Sequence, residues 1–253
     1  MDIITHTLSG ALVGATVSSF TDNTRLKIWS ILAGTLGGCL PDIDAISLWS
    51  GFDDTIVKWF HLDHAGQDIY FSKFWYSHHG FFHSIAAIVF YLLLYLMGKK
   101  ITDLITQQPT KVNIYGCVAF SGGYLAHILE DLPTPGLSWG GVNLFWPSSQ
   151  WVGGTGQTWW WNNYDIFLIV LIAAMLNLGL TLSHFDKKKL FSLCILSFSA
   201  LLIIFQIHQR NFDFNTEGYG NKEAVSLTIQ RNILGEKVFD LMVKLDNKIH
   251  LNF

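Results

Sequence analysis

Histidine and aspartate recur at spaced positions in the first part of this chain. They stand in THTLSG (His6), LPDID (Asp42 and Asp44), HHGFFHS (His78, His79 and His83) and HILED (His127 and Asp131). Imidazole and carboxylate are the ligands of zinc and related divalent ions. Residues i and i+4 lie one above the other on a helix, so His127 and Asp131 can reach one ion. A bound divalent ion lowers the pKa of its water to about 7, which makes a nucleophile at neutral pH. A carboxylate free of metal can take the proton. The expected chemistry is therefore attack by a metal-activated water, with Asp42 or Asp44 as the base.

Each motif alone has a simpler reading. Pro-Asp-Ile-Asp suits a turn with a helix cap, His6 a hydrogen-bonded histidine, and His127 with Asp131 an i,i+4 pair. Their coincidence argues for a metal site. Within HHGFFHS the spacing leaves two arrangements open. His79 and His83 share a face if the segment is helical, and geometry favours that pair. His78 and His83 converge only if His78 sits on a turn before the helix.

The elements that must position these groups cross a membrane. Charged residues are 14% of the chain, against roughly 25% in globular domains. Half the residues are hydrophobic and the mean hydropathy is +0.34. This excludes a disordered chain, and the net charge of −3 argues against a nucleic-acid binder. Cys39, Cys117 and Cys194 are isolated in apolar stretches and read as small buried hydrophobes. A spanning helix needs about 20 mainly apolar residues. Residues 80–97, 112–129, 164–183 and 190–208 qualify, and 3–20 and 26–40 are weaker. The last two are rich in Gly, Ala, Ser and Thr and read as helices packed inside a bundle; 112–129 shares this small-residue character. The chain starts Met-Asp without a basic n-region, so 3–20 is read as a span and not as a signal peptide. The fold expected is all-α: a polytopic membrane helical bundle of about six transmembrane helices.

Basic residues set the orientation. The short loops 21–25, 98–111 and 184–189, with the adjoining helix start, hold Arg25, Lys27, Lys99, Lys100, Lys111, Lys187, Lys188 and Lys189. The long connections 41–79 and 130–163 hold only Lys58 and Lys73. Short loops are therefore expected in the cytoplasm and long loops outside. This places every His and Asp motif at the outer ends of four helices, although the lysines and arginines alone decided it. The membrane-embedded domain is expected to span 1–208, and 209–253 a small tail. In the tail, LMVKL-DN-KIHLNF alternates around an Asp-Asn turn and suggests a β-hairpin, with an amphipathic surface helix as the alternative. Trp139, Trp146, Trp151, Trp159, Trp160 and Trp161 suit an aromatic belt at headgroup level or, more sharply, a lipid-binding rim over the metal site. His61, Asp63 and His64 read as a solvated loop; His184, His208 and His250 read as structural.

These motifs, together with the continuation of HILED through LPTPG to NLFWP, resemble the YdjM-like family of membrane-bound metal-dependent hydrolases. Its pattern runs D-x-x-T-H, P-D-x-D, H-R-G-x-T-H-S, then H-x-x-x-D-x-x-T-P-x-G and L-x-W-P. The likeness covers residues 1 to about 150, in order. It implies metal ligands at His6, Asp42, Asp44, His78, His83, His127 and Asp131, with zinc as the expected ion. It favours His78 over His79, which falls where the family has Arg. His79 for Arg and Phe82 for Thr bear on anion contact and metal number, and an insertion separates Phe145-Trp146-Pro147 from Thr134. A distant relation of the family to zinc phospholipase C and P1 nuclease points to a phosphoester of a phospholipid or lipid-like molecule. The expected setting is the inner membrane, with the site on the extracytoplasmic side. The rival class is a non-catalytic metal carrier or metal-stapled scaffold. A carrier would place ligands at mid-membrane along a pathway, and here they sit at helix ends.

Overall fold

Short polar side chains stand before most of the apolar runs and start them as helices. Asp2 accepts a hydrogen bond from the Thr5 backbone N–H at 2.9 Å and opens α1 (Ile3–Ser18). Asn23 does the same for α2 (Thr24–Cys39), Ser84 for the helix that starts at Ile85 and Asn113 for the one that starts at Ile114. Such caps satisfy N–H groups that the first helical turn leaves unpaired. In this computed structural model, described over residues 2–134, 141–154, 162–210 and 219–249, α2 runs directly into a 3₁₀ helix, Leu40–Leu48. A π turn (Asp53–Val57), α3 (Lys58–Phe60) and α4 (Gly66–Phe71) cross the following connection, and a 3₁₀ turn, Phe81–His83, leads to α5 (Ile85–Thr106). Then come α6 (Ile114–Asp131), α7 (Tyr164–Leu182), α8 (Lys188–Gln209), α9 (Tyr219–Leu234) and α10 (Glu236–Ile249).

The all-α expectation holds: the described residues form no strand, only an isolated bridge between Val142 and Val152. Among the described residues, four segments are long and apolar enough to cross a membrane: Thr24–Leu48, Ile85–Thr106, Tyr164–Leu182 and Lys188–His208. α1 is apolar but shorter, and α6 is not among the four. Polar side chains explain why these two stay inside. α1 buries Thr5, His6, Ser9, Thr16 and Ser18, and α6 buries His127, Glu130 and Asp131. The outward faces of α5 and α8 expose Leu93, Leu104, Phe198 and Leu201, as lipid-facing helices do.

Glycine sets the centre of the bundle, where α1, α2 and α6 meet backbone to backbone. A methyl group at Gly10 would lie 2.2 Å from the Gly34 carbonyl oxygen, and one at Gly123 would lie 2.3 Å from the same atom. One at Gly38 would lie 2.3 Å from the carbonyl oxygen of His6. Close approach of this kind is what small residues in membrane helices allow. It holds His6, the carbonyl of Gly38 and His127 at one end of the bundle. At the other end Lys27 donates to the Thr181 carbonyl at 2.9 Å, and Lys188 pairs with Asp22 at 2.6 Å.

Three local expectations are corrected. α5 begins at Ile85 and not at 80, because the chain turns at Ser77–Gly80 and Ser84 caps the helix. It also continues through Gly98-Lys99-Lys100 to Thr106, helped by an i,i+4 pair of Lys99 with Asp103 at 2.5 Å. The tail forms no hairpin over 236–249, since α10 runs straight through Asp246-Asn247. Phe239 and Met242, three apart on one face, pack with Tyr164 at the start of α7, so the helical period wins over the local alternation. Tyr164 donates to Asp246 at 2.8 Å, and Gln230 bonds the backbone of Asn162 and Tyr164. The buried Arg210 guanidinium pairs with Asp165 and Asn163.

The glycine contact yields a direct test in thermal unfolding of the detergent-solubilised protein. Gly34→Ala should cost about 1–3 kcal/mol through overpacking and lower the midpoint. Gly179→Ala, whose added methyl would meet nothing within 4 Å, should leave the midpoint unchanged or raise it slightly.

Candidate metal centre

Three elements deliver donor atoms to a common point, one each from two of them and two from α6. The start of the 3₁₀ helix after α2 supplies Asp42, the turn before α5 supplies His83, and the last turns of α6 supply His127 and Asp131. His83 Nε2 stands 3.6 Å from Asp42 Oδ1, 3.4 Å from Asp131 Oδ2 and 3.2 Å from His127 Nε2. His127 Nε2 stands 3.5 Å from Asp42 Oδ1 and 3.1 Å from Asp131 Oδ2. Zinc bonds of about 2.0–2.1 Å place the corners of a tetrahedron about 3.3–3.4 Å apart. Five of the six edges are thus known, and all are near that spacing. The residues fit a zinc-sized ion.

Around this set lies a layer of groups that orient it. His127 Nδ1 donates to the Gly38 carbonyl at 2.7 Å, which leaves the lone pair of Nε2 facing the centre. His83 turns its Nδ1 toward Asp44 Oδ2 at 3.2 Å while its Nε2 faces Asp42. Asp42 and Asp44 are two residues apart on a 3₁₀ helix, about 120° per residue, so they approach His83 from opposite sides. Asp44 Oδ1 is also 2.7 Å from His78 Nδ1. His6 Nε2 meets the second oxygen of Asp131 at 3.1 Å, its Nδ1 meets Glu130 at 2.8 Å, and its ring stacks on His127 at 3.7 Å between centroids. Ser9 donates to the other Glu130 oxygen. Carboxylate–histidine and backbone–histidine pairs of this kind typically surround metal ligands.

His78, His79 and His83 form a second group of convergent donors. They do so without the helical face that favoured His79 with His83. His79 holds a left-handed backbone, φ 64°, in the turn before α5. Its carbonyl accepts the Asn143 N–H at 2.8 Å, and its Nδ1 meets the Gly141 carbonyl at 3.3 Å. Of the two arrangements left open by the spacing, the structure takes the one with His78 on a turn before the helix, and His79 joins His78 and His83 without a shared helical face. Burial and the neighbouring His78 and His83 keep the pKa of His79 well below the ordinary histidine value, so its ring stays neutral. Burial acts in the same sense on His83, but Asp44, Asp131 and Asp42 outweigh it and hold the pKa well above that value. Carboxylates that draw a proton onto His83 would draw a metal cation equally.

All seven residues singled out in the sequence meet at this end of the bundle. Four lie in the tight donor set; His6 and Asp44 lie one contact outside it, and His78 belongs to the second group. Only Asp42 has appreciable exposure, its side chain 12% accessible against 0–1% for His83, His127 and Asp131, so access to the centre runs past Asp42. Glu130 escaped the sequence reading. Its signal was there, a buried-helix acid beside Asp131, but its partners His6 and Ser9 are far away in the chain. His61, Asp63 and His184 are exposed and join no donor group among the described residues. Trp139 and Trp159 to Trp161 lie outside the described residues, as does His250.

No curated protein and no solved structure matches the chain. The YdjM inner membrane protein family does, over residues 1–212. That match takes in the whole donor set and continues past it through α7 and α8. The chain belongs to the YdjM inner membrane protein family.

Proposed function

We propose that the protein is a metal-dependent hydrolase of the inner membrane whose substrate is a phosphoester of a phospholipid or lipid-like molecule. The observation that carries this reading is the convergence of Asp42, His83, His127 and Asp131 at ligand spacing. Zinc bound there would polarise an ester oxygen and acidify a water molecule. Asp44 stands outside the tight set and keeps its carboxylate for a proton. It shares one with His78 Nδ1 at 2.7 Å, and this pair is the proposed base, with Asp42 as a ligand. His6 and Glu130 fix the carboxylate of Asp131. The expected setting on the extracytoplasmic side rests on the distribution of lysine and arginine.

A groove of about 330 Å³ supports a lipid as substrate. It runs between α2, α5 and α6 and is lined by Leu32, Leu36, Leu40, Tyr91, Tyr95 and Phe120; Leu40 stands two residues before Asp42. Two of its walls, α2 and α5, belong to segments long and apolar enough to cross a membrane, so a hydrocarbon chain suits it.

One observation favours a second reading, a metal-stapled scaffold without catalysis. Four protein donors on one ion close the tetrahedron, which is the habit of structural zinc, whereas catalytic zinc keeps a position open. The imidazoles of the second group favour the enzyme, because they offer room for another ion.

Two measurements separate these readings. Elemental analysis of the purified protein should find at least one divalent ion per chain, and His127→Ala should lose most of it. Asp44→Asn should keep the metal but lower the release of product from labelled phospholipids by about 10²–10⁴-fold, the usual share of a general base. Stoichiometric metal with no product from any phospholipid would leave the scaffold.

A further inference from the structure

We propose that a cleft beside the metal centre is a phosphate-binding site, which receives the polar end of the substrate; this rests on the hydrolase reading for what happens to the ligand afterwards. The cleft holds about 490 Å³ and is lined by Lys73, Trp75, Asn143, Trp146, Ser148 and Trp151.

Its chemistry selects an oxyanion. Lys73 is the one charged residue among the described lining residues, and no carboxylate stands with it. Its ammonium lies 5.8 Å from the centroid of the Trp151 ring, exposed at the mouth. Asn143 is only 5% exposed, yet its side-chain oxygen is buried with no hydrogen-bond partner among the described residues. Buried amides are seldom left this way. The two ends of an amide exchange by a half-turn about the last side-chain bond, so Asn143 can present N–H to a ligand oxygen as readily as it accepts from a hydroxyl. Ser148 adds a hydroxyl. One ammonium with neutral donors suits a phosphate group, and the three tryptophans form a rim that sits well at a membrane–water interface.

The cleft is joined to the centre by direct contacts. The Asn143 N–H donates to the carbonyl of His79, one of the three clustered imidazoles. Phe81, two residues further on, meets the Trp146 ring edge-on at 5.0 Å. A phosphate held by Lys73 and Asn143 would therefore lie alongside the second imidazole group.

Calorimetric titration of the metal-loaded protein in a phosphate-free maltoside detergent tests this, with two probes: inorganic phosphate, and short-chain phosphatidylglycerol in mixed micelles. Wild type should bind at least one probe saturably. Lys73→Gln should weaken binding about ten-fold or more, as expected for losing a charge-assisted hydrogen bond, with metal content unchanged; Asn143→Ala should weaken it in the same direction. Binding of the lipid alone assigns the phosphate to a headgroup, and binding of both probes admits free phosphate; either supports the site. No saturable binding of either probe overturns it. So does unchanged affinity in Lys73→Gln, the result expected if phosphate touched only the metal. The titration reads no turnover, so its failure would leave the hydrolase reading of the metal centre standing, and an inactive protein could still pass it.

Discussion

Four carboxylates and five imidazoles are held together at one end of an apolar bundle, and the cost of taking them out of water governs the structure. Buried charges persist only when paired, hydrogen-bonded or bound to a cation. Here His83 alone faces Asp42, Asp44 and Asp131, and His6 bridges Glu130 and Asp131. Mutual pairing of this density satisfies individual atoms but crowds acceptors against one another. A divalent ion at the common point of Asp42, His83, His127 and Asp131 would replace repulsion by coordination, and their spacing suits it.

Such a centre needs a rigid frame, and glycine supplies it. With no side chains between them, Gly10, Gly34, Gly38 and Gly123 let α1, α2 and α6 touch by their backbones. That contact carries the Gly38 carbonyl to His127 and sets His6 against Asp131. The polar inner helices α1 and α6 are covered by more apolar ones, and the spanning segment Thr24–Leu48 joins the two tasks by carrying Asp42 at its end. Function on this plan depends on packing as much as on ligands.

Much of this was legible in the residues. Histidine and aspartate at helix ends, with a consistent lysine and arginine distribution, placed every motif at one end of the bundle. Small residues in 3–20, 26–40 and 112–129 foretold the close packing. What stayed hidden depended on local geometry or distant partners. The turn at Ser77–Gly80 removed the helical face assumed for His79 and His83. Asp42 and Asp44 took separate roles because a 3₁₀ helix points them apart. Glu130 mattered only through His6 and Ser9, which lie 124 and 121 positions away. Alternation in the tail suggested a hairpin, yet Phe239 and Met242 had a face of α7 to cover, and the segment became α10.

The central claim is that His83, His127, Asp42 and Asp131 surround one cation. X-ray absorption at the metal edge of the purified protein reads that arrangement directly. Nitrogen and oxygen neighbours at about 2.0–2.1 Å, with the outer-shell scattering of two imidazoles, are the predicted result. A first shell containing sulfur, or one without imidazole, would contradict it.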